Sequence, residues 1–250
     1  MTRFPSYKSY IKGEEETTKL TFEKFKEEFR QYELFFDLFM ETIDCLARST
    51  KSKVPDTEGK GATIAILPRV AQSMESIRLL TAKGHYYDAA IIERSLLESI
   101  GLCAHLSSNE EEASRWIRGE PIKLASIDLV DLGRWLHLGK HDTKMKKVWN
   151  AVYGQLCNYV HTNVRGAVSM MGRFEKKEKR IGGVMSGTIY FQYAPRFDES
   201  RAKGIAAFPV LVTLIVEDIF KAELKPYKKR QKKSDGLHRQ YLTLLKSHPN

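Results

Sequence analysis

The chain has few cysteines and no long apolar run. The first feature argues against disulfide-rich and zinc-binding proteins, and the second argues against membrane-spanning proteins. Cys45, Cys103 and Cys157 are the only cysteines, and they lie far apart in apolar surroundings, so neither a disulfide framework nor a zinc site is expected. The longest apolar stretch, residues 204–216, is interrupted by Pro209 and is shorter than the roughly 18 residues of a membrane span. The N-terminus has no apolar run of signal-peptide length. We therefore expect a cytoplasmic protein without membrane contact.

The sequence also has none of the motifs of common nucleotide-driven enzymes and hydrolases. It contains no P-loop, no glycine-rich dinucleotide turn and no Gly-x-Ser-x-Gly elbow,. His137, His141 and Asp142 resemble a metal site, but Gly139 should end the helix between the two histidines and so remove the spacing that brings ligands together. We expect neither a metal nor another cofactor.

The positive charge is concentrated in one segment. The formal net charge is +10, and residues 225–233 carry six positive charges and no negative one, which leaves +4 for the rest of the chain. With 42% hydrophobic residues over its whole length, the chain has the composition of an ordinary globular protein. The basic segment is either a solvated, flexible linker or a contact with phosphates or an acidic surface.

Apolar periodicity predicts a mostly helical chain. Aromatic and aliphatic residues recur at spacings of three and four from Phe22 to Leu46, which predicts one long amphipathic helix. Its aromatic stripe either packs across a helical bundle or pairs with a second copy of the chain to form a homodimer. Further helices are predicted over 62–83, 86–105, 108–118, 121–138, 143–161, 198–224 and 237–246, with Gly84 ending the first of these and Pro209 kinking the helix over 198–224,.

One stretch departs from the helical pattern. Residues 166–174 and 187–194 are rich in β-branched, aromatic and glycine residues, which predicts a β-hairpin with a long loop,. The expected architecture is an all-α helical bundle with a small hairpin insertion near residues 166–194. It divides into an N-terminal aromatic helix and loop (1–61), a helical domain (62–224), and a basic linker with a short C-terminal helix (225–250).

Arg94 and Glu98 are charged residues on an otherwise apolar predicted helix. They lie one turn apart and can pair,, and a charge in a buried helix is costly without a partner. Well-packed apolar residues would stabilise a core as well as a buried pair does, so stability alone does not explain the pair. We interpret Arg94 and Glu98 as part of a polar site. Replacement of Glu98 by Ala should then destabilise the fold by a few kcal/mol.

A second polar group lies at the end of the helix predicted over 143–161. Tyr153, Cys157 and His161 recur at spacings of four and share a face, and Asn158 borders His161,. His161 either interacts with the last carbonyls of its helix or donates and accepts protons near neutral pH. If this helix packs against the helix that carries Arg94, all these polar side chains meet in one pocket.

The two motifs together resemble a family of uncharacterised bacterial helical proteins that is distantly similar to the HEPN superfamily of ribonuclease toxins and RNA-processing domains. The resemblance covers residues 62–224 and rests on Arg-x-x-x-Glu and on the later Tyr-x-x-Leu-Cys-Asn-Tyr-Val-His. HEPN nucleases carry an Arg that is followed, after four to six residues, by a His, and both act on the RNA 2′-hydroxyl and scissile phosphate without metal. His161 matches that His, but positions 154–156 hold Gly, Gln and Leu, so Arg94 or Arg165 would have to supply the charge.

The resemblance implies an HEPN-like bundle with RNA as its ligand, and three hypotheses follow. The first is a metal-independent endoribonuclease of a toxin or phage-defence type, with a site formed by His161, Arg94, Glu98, Asn158, Tyr153 and Arg165. The second is a non-catalytic nucleic-acid-binding protein whose phosphate contacts are Lys176, Lys177, Lys179, Arg180, Lys228, Lys229, Arg230, Lys232 and Lys233. The third is a helical protein-interaction module in which Arg94, Glu98 and His161 form only a structural network and the Phe-rich N-terminal helix makes the contact with a partner.

Overall fold

Helices dominate the computed structural model, which describes residues 7–50, 57–122, 171–181, 184–191 and 202–247. They are α1 (Tyr7–Lys24), α2 (Lys26–Thr50), α3 (Glu58–Lys83), α4 (Tyr86–Ser108), α5 (Glu110–Ile117), α6 (Ala207–Ile219), α7 (Lys221–Leu224) and α8 (Lys228–Ser247). The helical class predicted from periodicity is confirmed. None of the helices in these ranges is both long and apolar enough to cross a membrane.

The aromatic stripe of the N-terminal region lies inside the bundle. The predicted single helix is two helices separated at Phe25, although backbone hydrogen bonds from Phe25 N to Thr21 O (2.9 Å) and from Phe29 N to Phe25 O (3.1 Å) continue across the break. Four aromatic side chains of the predicted stripe are at most 3% exposed: Phe25, Phe29, Tyr32 and Phe39. Phe22 is 36% exposed and Phe36 is partly buried. Most rings of the stripe therefore pack within one chain, and pairing of the N-terminal helix with a second copy stays a prediction.

α3 and α4 form a tightly packed pair. α3 begins earlier than the predicted residue 62, because the side chain of Thr57 caps it by accepting a hydrogen bond from Lys60 N,. It ends at Gly84, which is left-handed with a φ of 82° and confirms the predicted stop. Near the other end of the pair, a Cβ added to Gly59 would lie 2.3 Å from the carbonyl oxygen of Leu106. Glycine at position 59 therefore permits the close approach of the two helices.

α5 holds the start of α3 in place. Asn109 caps α5 by accepting a hydrogen bond from Glu112 N (3.1 Å). The carboxylate of Glu110 then accepts hydrogen bonds from Glu58 N (2.8 Å) and Gly59 N (3.3 Å). A carboxylate at a helix N-terminus satisfies free N–H groups and complements the helix dipole, so α5 fastens α3 at its first turn.

The helices α6 and α8 begin at positions that differ from the prediction. α6 begins at Ala207, which places Pro209 in its first turn, where a missing N–H is tolerated and no kink results. α8 begins at Lys228, so most of the predicted basic linker is helical. α8 is docked on the body of the protein, since Leu237 is buried in a cluster with Phe35, Leu38 and Val210.

Two strands, β1 (Met171–Ile181) and β2 (Val184–Phe191), pair antiparallel with Glu175 opposite Thr188 and Ile181 opposite Val184. The strands extend further towards each other than predicted. As a consequence, the basic residues for which we predicted a loop lie within β1: Lys176, Lys177, Lys179 and Arg180. That these strands are an insertion in an HEPN-like bundle stays a prediction.

Two of the predicted helices cannot be compared with the structure. The helix over 143–161 and, apart from Pro121 and Ile122, the helix over 121–138 lie outside the described residues. Pro121 and Ile122 are not helical.

Candidate functional site

Arg94 and Glu98 form the predicted pair on α4, but at the edge of the core. Arg94 Nε donates to Glu98 Oε1 at 2.9 Å, and the two side chains are 19% and 25% exposed. The interpretation of a fully buried pair is therefore corrected. Solvent screens a partly exposed pair, so we expect Glu98→Ala to destabilise the fold by about 1 kcal/mol and not by several.

The buried charge of α4 is the neighbouring Glu93, which is 4% exposed. The sequence contains the signal that identifies it, because Glu93 precedes Leu96, Leu97 and Ile100 by three, four and seven residues, and all three are buried,. A carboxylate on the core face is costly to bury. Sequence reasoning missed it because it looked for two charges one turn apart and not for a charged residue on the apolar face of the helix.

The remaining members of the predicted catalytic group lie outside the described residues: Tyr153, Asn158, His161 and Arg165. The structure thus brings Arg94 and Glu98 together and does not test whether His161 joins them. The shared pocket stays a prediction.

The basic segment contains a buried arginine. Arg230, which we predicted as a phosphate contact, is 4% exposed. Its Nη2 donates to Glu217 Oε1 and to Thr42 Oγ1, both at 2.6 Å, and Ser234 Oγ donates to the same glutamate oxygen at 2.6 Å. Arg230 therefore fastens α8 to α2 and α6, and its placement at a nucleic-acid surface is corrected.

Three lysines around Arg230 face the solvent. Lys228, Lys229 and Lys232 are exposed, and none of them forms an ion pair or hydrogen bond with another described residue. Lys233 differs, because its Nζ donates to Glu41 Oε2 at 2.8 Å. The five basic residues predicted to contact phosphates in this segment thus separate into three free cations, one paired cation and one buried cation.

A histidine–carboxylate pair that the sequence did not reveal joins α1 to the turn before α4. His85 Nε2 lies 2.5 Å from Glu14 Oε1, and the ring of Tyr10 stacks on His85 at a centroid distance of 5.9 Å. The hydrogen bond from His85 lowers the pKa of Glu14, and burial raises the pKa of Tyr10. No local pattern could have shown this contact, because 71 residues separate Glu14 from His85.

Metal and thiol chemistry find no support in the described part of the chain. No group of three or more His, Cys, Asp or Glu side chains in it is arranged to hold a metal ion. Cys45 and Cys103 are buried free thiols, and burial raises the pKa of Cys103 to about 12, which leaves it protonated and unreactive.

Comparison with known proteins does not assign the chain to a family. No family model, curated protein or solved structure matches it significantly. The candidate functional groups are therefore those that the geometry supplies: the Arg94–Glu98 pair on α4 and the exposed lysines Lys228, Lys229 and Lys232, which we call the lysine row.

Proposed function

We propose that the protein binds RNA and that the lysine row supplies phosphate contacts. The observation that carries this proposal is the presence of three exposed lysines without acidic partners among the described residues, within five positions of one helix. Five helical residues span about 6 Å, so the row presents a dense positive charge to a repeating anion such as a nucleic-acid backbone. RNA is preferred over DNA on the motif resemblance alone.

The burial of Arg230 supports this assignment. Lysines on a flexible linker must be ordered when they bind, and that loss of entropy weakens binding. Here the Arg230–Glu217 and Arg230–Thr42 hydrogen bonds hold the first turns of α8 against α2 and α6. The lysine row therefore lies on an ordered helix before any ligand arrives.

The catalytic form of the proposal is a metal-independent endoribonuclease. In it His161 transfers protons, and Arg94, or in its place Arg165, stabilises the charge that develops on the phosphate. Arg94 suits this role in two respects: Glu98 orients it through Nε, and 19% of its side chain remains exposed. Tyr153 and Asn158 enter this proposal on the motif resemblance only.

The interaction-module hypothesis loses most of its contact surface. It relies on the aromatic stripe of the N-terminal region to contact a partner, whereas Phe29, Tyr32 and Phe39 are 2% exposed or less within one chain and Phe22 is 36% exposed. We therefore place RNA binding before protein interaction.

The test of RNA binding compares two triple variants that lose the same charge. Lys228, Lys229 and Lys232 are changed to Gln in the first, and Lys8, Lys12 and Lys19, which are exposed on α1, are changed to Gln in the second. Fluorescence anisotropy with a labelled single-stranded RNA is recorded over a series of salt concentrations. We expect the α8 variant to bind more weakly and to lose up to about 2 units of the salt slope, about 0.7 for each lost phosphate contact.

Equal affinities and equal salt slopes for the two variants would reject the lysine row as the RNA contact. Cleavage is tested separately with a mixed RNA pool in excess chelator, for the parent, His161→Ala and Arg94→Gln. Cleavage by the parent that both folded variants lack supports the nuclease, and absence of cleavage by the parent restricts the proposal to binding.

A further inference from the structure

The positive surface of the lysine row extends into α7 and the turn before α8. Lys221 and Lys225 are exposed, and neither forms an ion pair or a hydrogen bond with another described residue. They lie four residues apart, and Lys225 continues the helical backbone of α7, so the two side chains lie on the same side. With the lysine row they give five unpaired cations in residues 221–232, which we call the basic track.

The basic track is not interrupted by an exposed acidic side chain. Glu223 is the sole acidic residue among positions 221–234. Its carboxylate accepts a hydrogen bond from Lys60 Nζ of α3 and is 20% exposed, so its charge is already compensated within the protein. A run of cations of this kind favours a polyanion, which releases condensed counterions for each phosphate that is neutralised.

The basic track offers no aromatic face on which a base could stack. Tyr227 is its only aromatic residue. The hydroxyl of Tyr227 donates to the carbonyl oxygen of Cys45 at 3.2 Å, and the ring packs against the core. The exposed uncharged residues of the track are Ala222, Pro226 and Gln231. Proteins that hold single-stranded nucleic acid stack its bases on aromatic side chains, whereas residues 221–232 offer contacts to phosphates alone.

The backbone that carries the basic track is hydrogen-bonded through the turn between α7 and α8. Tyr227 N donates to Leu224 O at 2.9 Å, and Gln231 N donates to Tyr227 O at 3.1 Å. A double helix is stiff and keeps its bases stacked inside, so it meets this ordered surface without being ordered itself. A flexible single strand must lose conformational freedom to follow the same row of lysines, and that loss weakens its binding.

We propose that the basic track binds double-helical RNA, such as the stem of a folded RNA, through its phosphates and without reading its sequence. This inference rests on the proposed RNA binding and names the form of RNA that is bound. The salt slope is about 0.9 for each neutralised phosphate of a double helix and about 0.7 for each one of a single strand. Five contacts therefore separate the two slopes by about 1 unit, which corresponds to about tenfold tighter binding of the double helix at about 0.1 M salt when the affinities extrapolated to 1 M are equal.

Fluorescence anisotropy tests the inference with a labelled RNA strand that does not fold on itself, alone and annealed to its complement, over a series of salt concentrations. We expect the full chain to bind the duplex about tenfold more tightly than the single strand at about 0.1 M salt. The preference should shrink as the salt concentration rises. A second duplex of unrelated sequence should bind with the affinity of the first.

Matched double variants test whether the track extends beyond the lysine row. Lys221 and Lys225 are changed to Gln in one variant, and Lys8 and Lys12, which are exposed on α1, are changed to Gln in the control. We expect the first variant to lose up to about 1.8 units of the salt slope measured with the duplex, about 0.9 for each lysine. The control should keep the slope of the parent.

The outcomes separate this inference from the proposal on which it rests. Equal or tighter binding of the single strand, together with weaker binding by the Lys228, Lys229 and Lys232 triple variant, would overturn the double-helical ligand and leave RNA binding in place. An unchanged slope in the Lys221 and Lys225 variant would overturn the five-contact surface, and unequal binding of the two duplexes would overturn recognition without sequence. A triple variant that binds both forms as the parent does would reject the lysine row itself, and the inference with it.

Discussion

At the scale of residues, two ion pairs attach α8 to neighbouring helices, and the two pairs differ in their exposure to solvent. Arg230 is 4% and Glu217 is 21% exposed, whereas Lys233 and Glu41 are 43% and 37% exposed. Removal of one partner of a buried pair leaves an uncompensated charge in the core. Removal of one partner of an exposed pair leaves a charge in water. The two pairs should therefore respond very differently to the same substitution.

We expect Glu217→Ala to lower the free energy of unfolding by about 3 kcal/mol and Glu41→Ala to lower it by less than about 1 kcal/mol. Urea unfolding followed by circular dichroism measures both changes. Glu41→Ala serves as the matched control, because it removes the same side chain from the other pair. Similar effects of the two substitutions would show that Arg230 does not need Glu217 in the folded protein.

The Arg94–Glu98 and Arg230–Glu217 pairs show which contacts between charged residues can be predicted from the sequence. Arg94 and Glu98 are one helical turn apart, so their contact follows from local geometry. Arg230 lies on α8 and Glu217 on α6, with α7 between them in the chain, and their contact depends on how α6 and α8 pack. For this reason Arg230 was predicted as a surface cation. Sequence periodicity does place it on the same face as Ser234 and Leu237, which are buried.

At the scale of elements, helix ends with a local chemical signal were predicted well. Gly84, which we predicted as the end of the helix now seen as α3, stops it through its own left-handed backbone conformation,. The start of α3 was predicted too late because Gly59 and Gly61 were interpreted as loop residues. The structure explains why position 59, which lies within α3, is a glycine: a larger residue there would collide with the backbone of α4.

Replacement by alanine should therefore destabilise the protein at Gly59 and stabilise it at Gly236. In Gly59→Ala the added Cβ lies 2.3 Å from Leu106 O, and overpacking of this kind destabilises by about 1–3 kcal/mol. In Gly236→Ala no atom lies within 4 Å of the added Cβ, and alanine stabilises a helix interior by about 0.5–1 kcal/mol relative to glycine. Thermal unfolding of both variants checks the signs, and a stable Gly59→Ala protein would contradict the close α3–α4 contact.

At the scale of the whole molecule, hydrogen-bonded carboxyl groups set the response to acid. Hydrogen bonds from Arg30 lower the pKa of Glu27 to about 2, and the bond from His85 lowers that of Glu14. A carboxyl group whose pKa is lower in the folded state than in the unfolded state binds protons more weakly when folded. Its stabilising contribution is complete above the unfolded pKa and is lost as the pH falls towards the folded pKa.

We therefore expect the stability to fall from about pH 5 to about pH 2, with Glu27 contributing to that fall. The side chain of Glu27 is 47% exposed, so solvent screening keeps its share below about 1 kcal/mol. Urea midpoints measured across this range should depend less steeply on pH in Glu27→Gln than in the parent. Glu15→Gln, which removes an exposed carboxyl without a hydrogen bond to another described residue, is the control. A parent and Glu27→Gln with the same pH dependence would refute the contribution.

The helical start of α8 also affects how readily proteases cleave the protein. Trypsin cleaves after lysine and arginine, and residues 228–233 offer it five such bonds, interrupted by Gln231. A protease binds its substrate as an extended segment, whereas here the backbone is helical and Arg230 is fastened beneath it. The most basic stretch of the C-terminal region is therefore a poor tryptic substrate as long as the protein is folded, and it becomes a good one when α8 detaches.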